Sequence, residues 1–314
     1  MATTELPTGT SSPAPAPPRS LSPARRRSRR RERGLAYLLL IPSLVVFGVF
    51  VFWPLVHNVY LGLYRNPPFP GLPSTYVGLD QYRDVLTSQT FVDSVKTTFL
   101  FAILTVPTGI ALGLGLAVLA HQQLKGIAVY RTFFSSTVAT SVAVAAVIFG
   151  TLMNPQVGLL PWLGISPTPP ILQNPTWALP AVAVTTIWQT LGLTFILMSA
   201  GLQSVPDELH EAARVDGAGP WSRFWHVTLP MLSPTIFFAV VIGSIFAFQT
   251  FGQVDLLTQG GPLGKTNVLT YFIYKSLGND PGKAAVLAVA LFFLTLLLAL
   301  AQIRLLERRV TYER

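Results

Sequence analysis

Ionisable side chains are sparse in this 314-residue chain, and one cluster of them has a defined spacing. Glu211, Ala212 and Ala213 are followed after three residues by Gly217. Nine residues further comes Val227, and after one more Leu229-Pro230. Glu211 and Asp216 supply charge, the two alanines a flat surface, and Gly217 a stop. That set suits docking against another protein better than bond-making chemistry. No hydrolytic or redox constellation accompanies it. His57, His121, His210 and His226 are scattered, with no second His at i+4, and there is no cysteine to complete a metal site or a disulfide. Gly264-Lys265-Thr266 imitates a phosphate-binding loop. That motif needs a glycine five residues before Gly264, where Gln259 stands, and a preceding strand, which is missing.

The element that must carry the cluster is a short helix. Ser204 and Asp207 have capping-box spacing, and Pro206 suits a first turn. Asp207, Glu208 and Glu211 sit early, where the helix dipole favours acids. Leu209, Ala212 and Ala213 fall at i, i+3, i+4 and give one small-residue apolar face. Gly217 fits the left-handed position past the end. The plain alternative is an amphipathic helix on a surface loop. Trp221, Phe224, Trp225 and Thr228 then follow Gly219-Pro220 as an aromatic stripe, suited to lying in the headgroup plane.

This loop, about 203–231, lies between long apolar runs. The chain is 51% hydrophobic and 11% charged, less than half the charge content of an ordinary soluble domain. Six runs, at about 35–56, 97–120, 132–153, 178–202, 232–254 and 284–303, are long enough to cross a bilayer as helices, and none holds Asp, Glu, Lys, Arg or His. The expected fold is therefore all-α and integral to a membrane, over residues 34–314. Residues 1–33 read as a disordered tail. It is rich in Pro, Ala and Thr and ends in seven Arg within positions 25–33. The Arg run reads as a positive-inside anchor. Contact with anionic lipid or with nucleic acid are the other readings.

Placing the amino terminus inside puts 16 Lys and Arg on the cytoplasmic side and 6 outside. Both termini and the Glu211 loop are then cytoplasmic. Gly109-x-x-x-Gly113 reads equally as a close-packing face and as chance in a glycine-rich chain. No acid lies within a span, which argues against proton or sodium coupling, and so against an ion-coupled secondary transporter.

The pattern Glu211-Ala212-Ala213-x3-Gly217-x9-Val227-x-Leu229-Pro230 resembles the EAA loop of ABC importer permeases. The departure is Val227, where the family usually has Ile. Tyr76 to Tyr82, Asn154-Pro155-Gln156-Val157-Gly158 and Thr258-Gln259-Gly260-Gly261-Pro262 are similar to stretches of the carbohydrate-uptake branch. Within it the chain looks most like glycerol-3-phosphate or glycerophosphodiester permeases. That likeness rests on Asp216 to Trp221, Phe248 to Asp255 and the ending Glu307-Arg308-x-Val310-x-Tyr312. Disaccharide permeases are the alternative, with a channel or secondary transporter as the rival outside the family.

The resemblance implies a six-helix permease of a bacterial plasma membrane. It would pair with a second permease, a cytoplasmic ATPase homodimer and an extracellular substrate-binding protein. Glu211, Ala212, Ala213, Asp216 and Gly217 would couple to the ATPase. Gln259, Gly260, Gly261 and Pro262 would meet the binding protein. This subunit would bind no cofactor, since ATP and magnesium belong to the ATPase, and no nucleic acid. As polar groups in or near spans four and five, Gln189, Gln249, Gln253 and Asp255 are candidates for the substrate pathway. Interhelical hydrogen bonding is their ordinary alternative.

Overall fold

The computed structural model describes residues 37–67, 73–121, 126–165 and 167–306. The Arg-rich tail and the Glu307–Tyr312 ending lie outside the described residues. The chain divides into two units, residues 1–55 and 56–314. The first supplies most of helix α1 (Tyr37–Leu61). Pro54 has no amide to give the helix ladder, and just before it the backbone widens to a π turn over Gly48–Phe52, closed by the Trp53 amide on the Gly48 carbonyl.

In the second unit a two-stranded hairpin pairs β1 (Tyr64–Arg65) with β2 (Thr75–Tyr76), antiparallel, with Tyr64 facing Tyr76. Helix α2 (Asp80–Leu86) follows, then the long α3 (Gln89–His121), which starts eight residues before the expected span and so takes in Asp93 and Lys96. The most extensive pairing is between α3 and α6 (Ala178–Gln203). Phe101, Val182, Phe248 and Val254 fill one end of this core, and Phe195, Met198, Leu202 and Leu232 the other.

The third and fifth expected spans are not single straight helices. The third is α4 (Ile127–Ser135), with a 3₁₀ turn over Ser136–Ala139, meeting α5 (Val142–Leu152) at 106°. Its apolar tally hides a hydroxyl-rich stretch. Ser135, Ser136 and Thr137 bond back to carbonyls three residues earlier, and Ser141 restarts the helix by capping the Val144 amide at 3.3 Å. The fifth is preceded by α8 (Pro220–Met231), which meets α9 (Ser233–Phe248) at 64°. Helix α9 stops six residues short of the expected 254. The chain breaks at Gln249–Phe251 and resumes as α10 (Gly252–Leu257), whose Gly252 lies tight against Val142. Helices α11 (Leu269–Leu277) and α12 (Pro281–Leu306) complete the unit, α12 reaching Lys283 and Arg304 beyond the expected apolar run.

Four described helices are long and apolar enough to cross a membrane, and the number becomes six if each bent pair counts as one crossing. At the turn between α3 and α4, Arg131 donates from Nε and Nη2 to the Ala120 carbonyl, at 3.3 and 2.9 Å. This occupies a carbonyl that the end of α3 leaves without a helical partner.

Candidate functional site

Helix α7 (Asp207–Val215) carries the Glu211 cluster and buries none of its residues. Leu209 and Ala212 are exposed and Ala213 is half-buried, so the small apolar face is presented outward. The capping box does not form. Pro206 stands at the cap with extended backbone, and Ser204 Oγ donates instead to the Gly201 carbonyl at 2.7 Å, closing α6 rather than opening α7. The far end behaves as expected. Gly217 has φ +79°, its amide bonds Arg214 O at 3.0 Å, and the Ala218 amide reaches back to Ala213 O at 2.8 Å. These two bonds are a Schellman closure, which needs the left-handed glycine.

From Gly219 the chain enters α8. Pro230 withholds the amide that the His226 carbonyl would use, and the turn before it, Phe224–Thr228, is π-helical. Trp221, Phe224 and Trp225 group together, with ring centroids 5.6 to 6.0 Å apart. Trp221 and Trp225 are exposed, as a headgroup-level stripe requires, and Thr228 is turned inward and buried.

A second site lies where α6, α9 and α10 meet the bend between α4 and α5. A cavity of about 400 Å³ there is lined by Gln189, Gln249 and Gln253 together with Thr186, Thr190 and Thr250. That volume is within the usual range for small-molecule sites. Three of the four expected pathway residues therefore converge. Gln189 Nε2 donates to the Thr140 carbonyl at 3.3 Å, the carbonyl freed where the 3₁₀ turn breaks. The side chains of Gln249 and Gln253 have no hydrogen-bond partner among the described residues, and Gln253 is 4% exposed. Asp255 is outside the lining. It lies instead beside Tyr271, whose phenol is held above its ordinary pKa by burial first and by the nearby Asp255 and Tyr274 next.

The threonines were not among the expected residues. Their signal was the i, i+4 repeat of Thr186 and Thr190 on one face of an otherwise apolar helix.

A third candidate is the turn after α10. Gln259 (φ 50°) and Gly260 (φ 77°) are both left-handed. A Cβ on Gly260 would sit 2.7 Å from the Tyr271 ring. Thr266 Oγ1 donates to Gly261 O at 2.6 Å and lies 2.7 Å from Thr258 Oγ1. Gln259 is exposed, but Gly260 is buried and Gly261 and Pro262 are half-buried, so these three shape the turn rather than its surface. The exposed tip is Leu263, Gly264 and Lys265.

A profile described as binding-protein-dependent transport system inner membrane component matches residues 22–312. The sn-glycerol-3-phosphate transport system permease protein UgpA of Pectobacterium atrosepticum is 34% identical over 288 residues, 90% of this chain and 97% of that protein. The protein of the same name from Agrobacterium fabrum is 34% identical over 285 residues, 88% of this chain and 96% of its own. Among solved structures, a chain of a bacterial ABC transporter involved in import of the acidic polysaccharide alginate superposes with a TM-score of 0.73. It is 24% identical, with 92% of this chain and all of the other covered.

Proposed function

We propose a cargo and a coupling route for this chain, which belongs to the family of binding-protein-dependent transport system inner membrane components. It is a multi-pass inner-membrane permease subunit of an ABC importer, a transport subunit rather than an enzyme. Membership implies a second permease, an ATPase and a substrate-binding protein as partners.

The cargo in our reading is sn-glycerol-3-phosphate or a glycerophosphodiester. The observation that carries it is the 34% identity, over nine-tenths of the chain, to permeases named for that solute. The Gln- and Thr-lined cavity supports it, because amides and hydroxyls match a small polyol and its phosphate oxygens. A neutral disaccharide is the second reading, favoured by the lack of any Lys or Arg among the lining residues.

In this scheme the two permeases are non-identical and both termini are cytoplasmic. The ATPase is a homodimer that grips the α7 face at Glu211, Ala212 and Ala213, with Asp216 and Gly217 fixing its end. Nucleotide and magnesium are held on the ATPase and none on this chain. ATP binding draws the two coupling helices together and turns the cavity outward, and hydrolysis resets it. The binding protein meets the exposed tip at Leu263 from the extracellular side.

The test is ATP-dependent uptake of labelled glycerol-3-phosphate by vesicles holding the assembled transporter. Saturable uptake supports the reading. Disaccharide uptake with none of glycerol-3-phosphate overturns the cargo while leaving the importer assignment intact.

A further inference from the structure

The polar groups of the cavity are of two chemical kinds. Thr186 donates its hydroxyl proton to Val182 O at 3.1 Å, and Thr190 donates to Thr186 O at 2.9 Å. Thr250 does the same to Phe246 O at 3.2 Å. With its one proton turned into the helix, each threonine offers the cavity lone pairs alone. Gln249 and Gln253 are different. Their amides have no partner among the described residues, so they bring free N–H donors to the lining. Gln253 is almost fully buried as a residue, but its amide is not among the buried unpaired polar atoms of the described residues, so it stays open to an occupant. An occupant that accepts hydrogen bonds gives the two amides partners. Gln189 has one of its amide protons engaged with Thr140 O.

We propose that the cavity binds a polyol phosphate in one orientation. Its hydroxyls donate to Thr186 and Thr190, and its phosphate oxygens accept from Gln249 and Gln253. The inference rests on the cargo reading above and adds polarity to it. The sorting follows from the donors. A hydroxyl proton on the cargo needs an acceptor, which the α6 threonines supply. A phosphate oxygen carries no proton at its charged positions and needs a donor, which in this lining the glutamine amides supply. Holding the anion with neutral amides also keeps binding weak enough for release, as any conducting site requires.

Two cargoes separate the ends: glycerol-3-phosphate, and 3-hydroxypropyl phosphate, which lacks the central hydroxyl. A neutral hydrogen bond is worth about threefold to tenfold, so the assembled wild-type transporter in vesicles should favour the first by that factor in apparent affinity. Thr190→Val or Thr186→Val should bring the ratio toward one, and Thr190→Ser, which keeps the hydroxyl, should preserve it. Gln253→Leu should raise the apparent KM for both cargoes together and leave the ratio standing. Complex recovered from the vesicles, measured for each variant, separates misassembly from altered binding. A wild-type ratio in both valine variants, or a ratio that collapses in Gln253→Leu, overturns the orientation while leaving the cargo in place. Failure of the wild type to transport either phosphate overturns the cargo reading and this inference with it.

Discussion

A Cβ placed on Gly113 of α3 would lie 2.6 Å from Cγ2 of Thr194 on α6. The principal helix pair of the second unit therefore meets at a point where only hydrogen fits. Gly109, one turn earlier, has nothing within 4 Å of the same construction. Of the Gly109-x-x-x-Gly113 pair, one member serves close packing and the other does not.

Gly113→Val should accordingly destabilise the bundle by about 1–3 kcal/mol or more, the usual cost of overpacking a filled contact. Gly109→Ala should stay within about 0.5 kcal/mol. Thermal melting of the two purified variants in detergent compares them directly. Equal melting points would mean that α3 and α6 separate easily at Gly113.

Gly217 is left-handed, and no atom approaches the space a side chain would fill. A substitution there meets backbone strain without a clash, about 1–2 kcal/mol for an ordinary residue, and more for a β-branched one. Gly217→Val should leave the complex assembled while lowering cargo moved per ATP hydrolysed. Measuring uptake and hydrolysis on the same vesicles gives that ratio. An unchanged ratio would argue that the closure of α7 plays no part in coupling.

Gly260→Ala combines positive φ with contact on the Tyr271 ring. It should distort the turn and weaken stimulation of ATP hydrolysis by the binding protein. Leu263→Asp alters the exposed tip without touching the turn, and should weaken the same stimulation if the tip is the contact. Stimulation titrated against binding-protein concentration distinguishes the variants. Full stimulation in both would place the contact elsewhere.

Gln189→Leu strips the Thr140 carbonyl of its donor at the 106° bend. An unpaired carbonyl there costs about 1–3 kcal/mol, so protease cleavage near residues 136–141 should quicken. Cleavage at the wild-type rate would show that the bend holds without this bond.

The long apolar helices were legible from length and composition, because a bilayer imposes both. Helices α3, α6 and α12 lie where the apolar runs put them, α3 with about two added turns at its start, α12 with three added residues at each end and α6 with one. The bends were not legible from apolar tallies. The 106° bend goes with hydroxyls at Ser135 to Ser141, and at the separate break after α9 the Thr250 carbonyl accepts from the Thr270 hydroxyl across twenty residues of sequence. The glycine end of α7 was readable because a left-handed closure has one favoured residue. Its start was misread because Ser204 had a nearer carbonyl at Gly201 to bond. Gln189, Gln249 and Gln253 stood out as amides in apolar surroundings. Asp255 stood out equally, and only the fold separates it from them, through the break at Gln249–Phe251 and the turn of α10 that follows.

The cavity lining holds no formal charge. An anionic cargo held there would have its charge uncompensated by the lining. Against a membrane potential negative inside, each inward-moving negative elementary charge meets an opposing cost of about 2.3 kcal/mol per 100 mV. That electrical work falls on the nucleotide-driven stroke, so deeper polarisation of the membrane should slow phosphate-bearing cargo while leaving an uncharged solute indifferent to voltage.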